Sequence, residues 1–215
     1  ARGLLRVTLD ASGKVAKREL FAKSFYDAQG ISFHQGSLFA VVNKYSTKFN
    51  SGLYRLRDTS GNGQFADIEL LKEIPGGGEH GPHYVLPGPD GNLYVMAGNH
   101  TKLVSDIAPT SPHKNYAEDH VLPRQWDANG HATGILAPAG HIYRVSPDGK
   151  KWEIFSAGFR NQYGFDFNKV GRVVVTNAYP DHAGGLKALL ARHRVRVYAH
   201  ADEVPALLGK VPATG

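Results

Sequence analysis

The sequence predicts an all-β protein of the β-propeller type, because one cassette of strands recurs three times along the chain. Each cassette opens on a short strand with an arginine, continues through a turn and a second strand, and closes on a strand that is led by Gly and ends in Asn. The opening arginines, Arg6, Arg55 and Arg144, lie 49 and 89 positions apart. A blade period of about 40 to 50 residues explains both spacings if residues 101–139 are one long insertion.

The closing strands run from Gly36 to Asn43, from Gly91 to Asn99 and from Gly171 to Asn177. Other strands are predicted where apolar and polar positions alternate or where Val, Ile, Phe and Tyr are frequent. These segments are residues 4–9, 15–22, 31–42, 52–57 and 65–74. Pro-Asp-Gly sequences before Asn92 and Lys150 predict tight turns, because Pro presets φ and Gly accepts a positive φ.

Residues 1–177 account for about four blades of a six-bladed type, so the chain is expected to be an incomplete propeller. Beyond them, leucines at helical spacing in residues 186–193 predict a short helix. A strand over 195–199 and a second short helix near 204–208 are predicted to follow. Residues 178–215 are therefore expected to be a short α/β appendage, either foreign to the propeller or a degenerate blade.

The insertion at residues 101–139 is polar, rich in His and Pro, and has no sustained period. A loop of this length is usually functional, so it is predicted to lie on the ligand-bearing face. Trp126 within it and Trp152 after it are predicted to be packing anchors between blades.

Composition narrows the possible partners. The net charge of +6 comes from basic residues spread along the chain, which favours an ordinary solvated surface over a nucleic-acid footprint. The absence of cysteine excludes disulfides, Cys-based zinc sites and Cys-linked haem within the chain. No apolar stretch reaches the ~20 residues that a membrane helix needs, so no membrane span is expected.

The segment from Gly76 to His83, Gly-Gly-Gly-Glu-His-Gly-Pro-His, is the first candidate catalytic site. Glycines let the backbone approach a ligand closely, and the imidazole of His80 can accept a proton near neutral pH. Glu79 could orient a neighbouring ring. The alternative is a glycine-rich loop between blades with an exposed histidine.

The segment from Ser156 to Gly164 is the second candidate. Arg160 and Asn161 are adjacent and flanked by glycines, so their donors could hold an anionic or carbonyl oxygen. The alternative is an arginine that pairs across two blades.

Together the two segments resemble the soluble quinoprotein sugar dehydrogenases, six-bladed propellers that bind pyrroloquinoline quinone. In that family a histidine lies eight residues before the Gly-Pro-Asp turn of an inner strand, as His80 lies before Gly88 here. A Gly-x-Arg-Asn-Pro-x-Gly motif follows one blade later. Residues 158–164 match it, except that Gln162 stands in the place of Pro.

This resemblance implies that a hydride passes from a sugar or alcohol carbon to the quinone. His80 is then expected to be the general base on the substrate hydroxyl. Arg160 and Asn161 are expected to stabilise the negative charge that grows on the quinone oxygen. The family's later basic residues, which pair with the cofactor's carboxylates, have no recognisable counterpart in this chain.

The chain also resembles the bacterial propellers classed as membrane-bound dehydrogenases, over about residues 1–172. The shared segments are residues 77–83, 98–101, 118–119, 122–132 and 154–163. The cofactor-binding residues expected within them are Glu79, His83, His100, Arg124, His131, Arg160 and Asn161. The resemblance implies a periplasmic or extracytoplasmic location, a signal peptide upstream of this sequence, and a cytochrome c-type redox partner.

Residues 58–69 follow the twelve-position spacing of a calcium loop, with Gly63 at the sixth position. An Asn-Gly turn between two strands is the alternative. The expected calcium ligands are Asp58, Ser60, Asn62, Gln64 and Glu69.

Residues 173–205 weakly resemble the metallo-β-lactamase superfamily. Asn177 and Tyr179 occupy the two leading His places of its zinc loop, and only Asp181 and His182 remain. Zinc needs three or four ligands, so a degenerate hydrolase segment is the third functional hypothesis. The second is a propeller that binds carbohydrate or protein without catalysis.

Overall fold

The protein is described by a computed structural model over residues 3–44, 48–115, 125–126, 133–137, 139–162, 164–168 and 173–175. The regular elements in these residues are all β-strands, and every paired strand is antiparallel to its neighbour. The all-β prediction is therefore confirmed. The helices and the strand predicted within residues 178–215 lie outside the described residues.

The strands are β1 (Leu4–Leu9), β2 (Val15–Phe21), β3 (Ala28–His34), β4 (Ser37–Val42), β5 (Gly52–Arg57), β6 (Asp67–Glu73), β7 (Pro82–Pro87), β8 (Leu93–Ala97), β9 (Gln125–Trp126), β10 (Leu136–Ala137), β11 (Gly140–Val145), β12 (Trp152–Phe159), β13 (Phe165–Phe167) and β14 (Val173–Val175). Two sheets have four strands, in the orders β3-β4-β5-β6 and β7-β8-β11-β12. The pairs β1-β2, β9-β10 and β13-β14 form two-stranded sheets.

The sequence cassette straddles two sheets. Strands β1, β5 and β11 carry the cassette arginines, and we call them the Arg strands. Strands β4, β8 and β14 close the cassettes, and we call them the Gly-led strands. Each four-stranded sheet joins the Gly-led strand of one cassette to the Arg strand of the next, as β4 pairs with β5 and β8 pairs with β11.

The segment 31–42, predicted as one strand, is instead a hairpin. Gln35 and Gly36 form a two-residue loop between β3 and β4, and His34 pairs with Ser37 across it. Both loop residues have positive φ, 46° and 76°, which matches the right-handed twist of a tight hairpin.

The sheets stack face to face, and each face carries its own apolar cluster. One cluster joins the two four-stranded sheets and includes Phe39, Leu53, Val85 and Tyr143. A second joins the β1-β2 pair to the first four-stranded sheet, and a third joins the second sheet to Phe165 of β13. Alternate residues of a strand therefore enter different interfaces.

The two tryptophans of the sequence behave differently. Trp152 is fully buried in the cluster between the two four-stranded sheets, so its predicted anchoring role is confirmed. Trp126 is 66% exposed, so the same prediction for it is wrong.

The first part of the long insertion covers the outer edge of the second sheet. The amide of Ala108 donates to the carbonyl of Trp152, and the amide of Ile154 donates to Ser111 Oγ. His113 forms an isolated bridge with Ile154. This cover satisfies backbone groups that an edge strand would otherwise leave unpaired.

A cross-strand ion pair recurs beside every Arg strand. In each outer hairpin the arginine lies directly opposite a glutamate of the next strand. The N–O distances are 3.3 Å for Arg6–Glu19, 2.7 Å for Arg55–Glu69 and 2.6 Å for Arg144–Glu153. Opposite charges at directly facing positions stabilise a sheet, so the arginine that marks the repeat also pins the register of its hairpin.

Glu153 is the buried member of this series, with a side chain only 3% exposed. Burial by itself would raise its pKa, but hydrogen bonds from Thr110, Lys151 and Arg144 outweigh burial and lower the pKa to about 2. Its carboxylate is thus held ionised inside the structure by three partners.

The first strands of the two four-stranded sheets, β3 and β7, approach each other at Gly30. A Cβ at this position would lie 2.7 Å from the carbonyl oxygen of His83 and from the Cα of Tyr84. Backbone atoms cannot move aside as a flexible side chain can, so the contact between β3 and β7 requires glycine.

We predict that Gly30→Ala destabilises the protein by roughly 1 to 3 kcal/mol, the usual effect of forcing extra volume into a packed site. Gly77→Ala is the matched control, because the nearest atom to a Cβ there is 4.0 Å away. Denaturant unfolding of both variants measures the difference, and equal stability of the two would contradict this packing.

We also predict that Glu153→Gln costs roughly 2 to 4 kcal/mol, because it breaks a buried ion pair. The same change at Glu19, whose side chain is 26% exposed, should cost less than about 1 kcal/mol. Thermal or denaturant unfolding of the two variants tests the contrast, and a larger effect at Glu19 would refute it.

Candidate functional site

The two segments singled out by the sequence meet at one end of the second sheet, where β7 begins and β8 and β12 end. The amide of Asn99 donates to the carbonyl of Arg160 at 2.8 Å. The amide of His100 donates to the carbonyl of His80 at 3.1 Å, and the amide of Gly98 donates to Gly81. The chain after β8 therefore ties the loop before β7 to the loop after β12.

His80 is held by a side chain that follows β8. Its Nδ1 lies 2.6 Å from Oδ1 of Asn99, and because that oxygen only accepts, Nδ1 carries the proton. The Nε2 atom is then the ring's proton-accepting nitrogen. The ring stacks on His100 with centroids 4.6 Å apart, and His80 is only 2% exposed.

Asn161 lies directly beside this histidine. The residue is 5% exposed, and its Oδ1 has no hydrogen-bond partner in the described structure. A Cβ at Gly98 would lie 2.6 Å from that oxygen and 2.6 Å from the carbonyl oxygen of His80. Glycine at position 98 thus leaves room for an unsatisfied acceptor close to the main-chain carbonyl of His80. Arg160 is half-buried.

The residue that departs from the resembled motif has a structural role. Nε2 of Gln162 donates to the carbonyls of Ala97 and His141 at 3.0 Å each, so it joins the ends of β8 and β11. The main-chain carbonyl oxygen of Gln162 lies 2.6 Å from Nε2 of His83. Proline could not provide these side-chain bonds.

His83 belongs to this bonded framework. Burial lowers its pKa, and the hydrogen bond to the Gln162 carbonyl only partly opposes that effect. His83 is therefore placed as a buried link between loops, 5% exposed.

The other predicted cofactor-binding residues separate into three groups. His100 stacks on His80 at the cluster. Glu79 is exposed, and the side chain that orients His80 is Asn99 instead. Arg124 and His131 lie outside the described residues.

Asn99 belongs to the candidate site, although the sequence analysis did not choose it as a site residue. In the sequence it is the last residue of a Gly-led strand and lies in the shared segment 98–101. Asn43, which holds the same position after β4, donates from Nδ2 to the carbonyl of Gly78 at 2.7 Å. The repeat itself was the available signal, since both asparagines bind the loop before β7.

The predicted calcium loop is a compact turn. Asp58 accepts backbone hydrogen bonds from Asn62 and Gly63, and Asn62 accepts one from Gln64. Glu69 is paired with Arg55 across the β5-β6 hairpin, and Ser60 is exposed. The calcium site stays a prediction that would require Glu69 to leave Arg55.

No protein-family model matches this chain, and no curated protein sequence is significantly similar to it. Within the described residues, no group of three or more His, Asp or Glu side chains is arranged to hold a metal ion. The same part of the chain has no helix long and apolar enough to cross a membrane.

His141 lies under the cluster, on β11, and is completely buried. Its Nδ1 donates to the carbonyl of Ala139 at 2.9 Å. Burial lowers its pKa to about 4, and this hydrogen bond only partly opposes the effect. The ring is therefore neutral in the folded protein at neutral pH.

We predict an acid-sensitive stability from His141. Its pKa is lower in the folded than in the unfolded chain, where it is about 6.5, so protons favour unfolding. The contribution of neutral His141 to the free energy of unfolding is complete above pH ~6.5. It is lost as the pH falls towards about 4, and the loss reaches up to roughly 3 kcal/mol. Denaturant unfolding at a series of pH values should show a flatter slope for His141→Gln.

His34→Gln is the matched control, because His34 is only half-buried. The control should keep the slope of the unmodified chain over the same pH range. An unchanged slope in His141→Gln would contradict the assignment.

Proposed function

We propose that the stacked sheets are consecutive blades of a β-propeller. The supporting observations are the four-stranded meander repeated in both complete sheets and the contact between their first strands, β3 and β7, at Gly30. In a propeller the first strand of each blade lies nearest the central axis, so the loops before β7 and β13 lie where propellers bind ligands. The cluster around His80 is located there.

We further propose that the protein is a dehydrogenase of the quinoprotein type, which acts on a hydroxyl group of a sugar or alcohol. The observation that carries this proposal is the hydrogen bond from Nδ1 of His80 to Asn99, which places the ring's proton on Nδ1 and makes Nε2 the proton-accepting nitrogen. An oriented imidazole would accept the hydroxyl proton, and a bound quinone would accept the hydride from the carbon. Oδ1 of Asn161, a buried acceptor without a partner, is suited to a second ligand hydroxyl.

The described residues do not complete a site for pyrroloquinoline quinone. The quinone carries three carboxylates, which require several cations, and Arg160 is the only predicted cofactor-binding arginine within the described residues. Only the proton transfer and the positioning of the hydroxyl are therefore assigned to this chain.

A non-catalytic binding propeller is the second candidate, and one observation favours it. His80 is 2% exposed, so a ligand must displace part of its surroundings before it reaches Nε2. A surface that only recognises carbohydrate or protein has no such requirement.

Reconstitution with pyrroloquinoline quinone and calcium separates the two candidates. Reduction of a redox dye is measured with a panel of aldoses and alcohols, and binding of the quinone and of each sugar is measured by calorimetry. We expect His80→Ala to lower the dehydrogenase rate about a hundredfold or more, the usual contribution of a general base. His34→Gln, at a half-buried histidine on β3, should keep the full rate.

Asn99→Ala tests the positioning role of Asn99 in the same assay. It should lower kcat more than it changes KM, because the imidazole remains but loses its orienting partner. Sugar binding without quinone binding or dye reduction would favour the binding propeller. Absence of both activities would refute both candidates.

A further inference from the structure

The ring of His100 covers one face of the His80 ring. The two rings are stacked, with centroids 4.6 Å apart and planes inclined by 29°. His80 is 2% exposed, and the chain neighbours of His100, Asn99 and Thr101, are 5% and 2% exposed. His100 itself is half-buried. Of residues 98–101, His100 is thus the one that extends from the buried cluster to solvent.

The backbone that carries His100 is held on both sides. Each of the five successive amides of residues 98–102 donates a hydrogen bond to a main-chain carbonyl. A displaced segment would leave these groups without their partners, which is costly for buried groups. Movement of the whole segment is therefore an unfavourable way to uncover His80. In chain order, the accepting carbonyls belong to Gly81, Arg160, His80, Gly98 and Pro75.

Packing also fixes the residue that follows His100. Thr101 forms an isolated antiparallel bridge with Gly76. A Cβ at Gly76 would lie 2.7 Å from Oγ1 of Thr101 and 2.9 Å from its Cα, so the two residues are in close contact. Lifting the segment away from His80 would have to break this contact as well.

Open space adjoins the edge of the His100 ring. Gly78 is exposed, and among the described residues the one atom within 4 Å of a Cβ there would be Nδ1 of His100, at 3.7 Å. The φ of Gly78 is 70°, a conformation that favours glycine. The loop before β7 therefore places no side chain at this point beside the ring.

We propose that His100 controls access to the candidate site, and that a ligand reaches His80 when the His100 ring turns towards Gly78. A change of χ1 moves a side chain from one staggered position to another while the backbone stays in place. The five backbone hydrogen bonds of residues 98–102 are thus kept in both positions of the ring. The stacked position is the closed one, and the ligand occupies the space that the ring leaves over His80.

This role rests on the proposed function for the position of the site at His80, where the ligand is a hydroxyl-bearing sugar or alcohol. The burial of His80, which is 2% exposed, requires that part of its surroundings be displaced before a ligand reaches Nε2. A side chain that turns aside meets this requirement, because a single ring moves. The ring also keeps water away from His80 until the ligand takes its place.

The reaction of each histidine with diethyl pyrocarbonate measures this access in the absence of substrate and quinone. The reagent attaches an ethoxycarbonyl group to the unprotonated nitrogen of an imidazole, which is Nε2 in His80. Mass spectrometry of peptide fragments assigns the initial rates to individual histidines. A covered group reacts only while it is uncovered, so we expect His100→Ala to raise the rate at His80 by about tenfold or more.

His100→Phe is the matched control variant. Its ring can stack on His80 as the imidazole does, so His80 should react as slowly as in the unmodified chain. His34 and His83 are internal references within each protein, since His34 is half-buried on β3 and His83 is 5% exposed. The rates at both references should be the same in all three proteins.

Equal rates at His80 in the unmodified chain and in His100→Ala would overturn the proposal. A fast rate in His100→Phe would overturn it too, because an aromatic ring at position 100 would then give no cover. A parallel rise at His83 in His100→Ala would show that the whole loop had opened, which contradicts a role limited to one side chain. Failure of the dehydrogenase and sugar-binding assays above would refute the proposed function and leave these rates unchanged.

Discussion

The packing of one four-stranded sheet on the next governs the rest of this structure. Gly30 lets β3 lie against the backbone of β7, and the apolar residues of β4 and β5 then reach those of β8 and β11. A central strand of a sheet that is covered on both faces must be apolar on both of its faces. Strand β8 meets this demand with five consecutive buried residues, Leu93 to Ala97.

Polar side chains hold the strand ends together where the regular ladder stops. Asn43, Asn99 and Gln162 each join loops that belong to different strands or sheets. A buried carbonyl without a partner is costly, and the amide nitrogens of Asn43 and Gln162 donate to such main-chain carbonyls and fix the positions of the loops. The histidine cluster is a consequence of this bonded framework, since Asn99 binds the Arg160 carbonyl through its backbone and His80 through its side chain. The candidate site and the loop framework therefore share the same residues.

The edge strands of the sheets differ in how they are covered. The outer edge of β12 is covered by residues 108–113, and Glu153 beneath that cover is bonded to Thr110 of the same segment. Strand β1 has no such cover in the described residues, and its apolar face is open to solvent. The long insertion, for which the sequence suggested a ligand-binding role, serves in its described first part to protect an edge.

The amino-acid sequence was sufficient to predict the all-β fold and most of the strands. Alternation and turn residues depend on local chemistry, so they can be read without knowledge of distant contacts. The hairpin at Gln35 and Gly36 was not predicted within the segment 31–42, because strand-forming residues lie on both sides of its two-residue loop. The side-chain partner of His80 was not predicted either, because Asn99 is brought to it only by the way the loops meet.

The folded arrangement of the sheets was needed to establish which repeat residues face each other and what each polar group binds. The glutamates opposite the three cassette arginines became visible once the hairpins were paired. Gln162, a mismatch in the motif, became a link between β8 and β11. Trp126 and Trp152 look alike in the sequence, yet one is exposed and the other buried. These outcomes depend on contacts between residues far apart in the chain, and their geometry is set by the stacking of whole sheets.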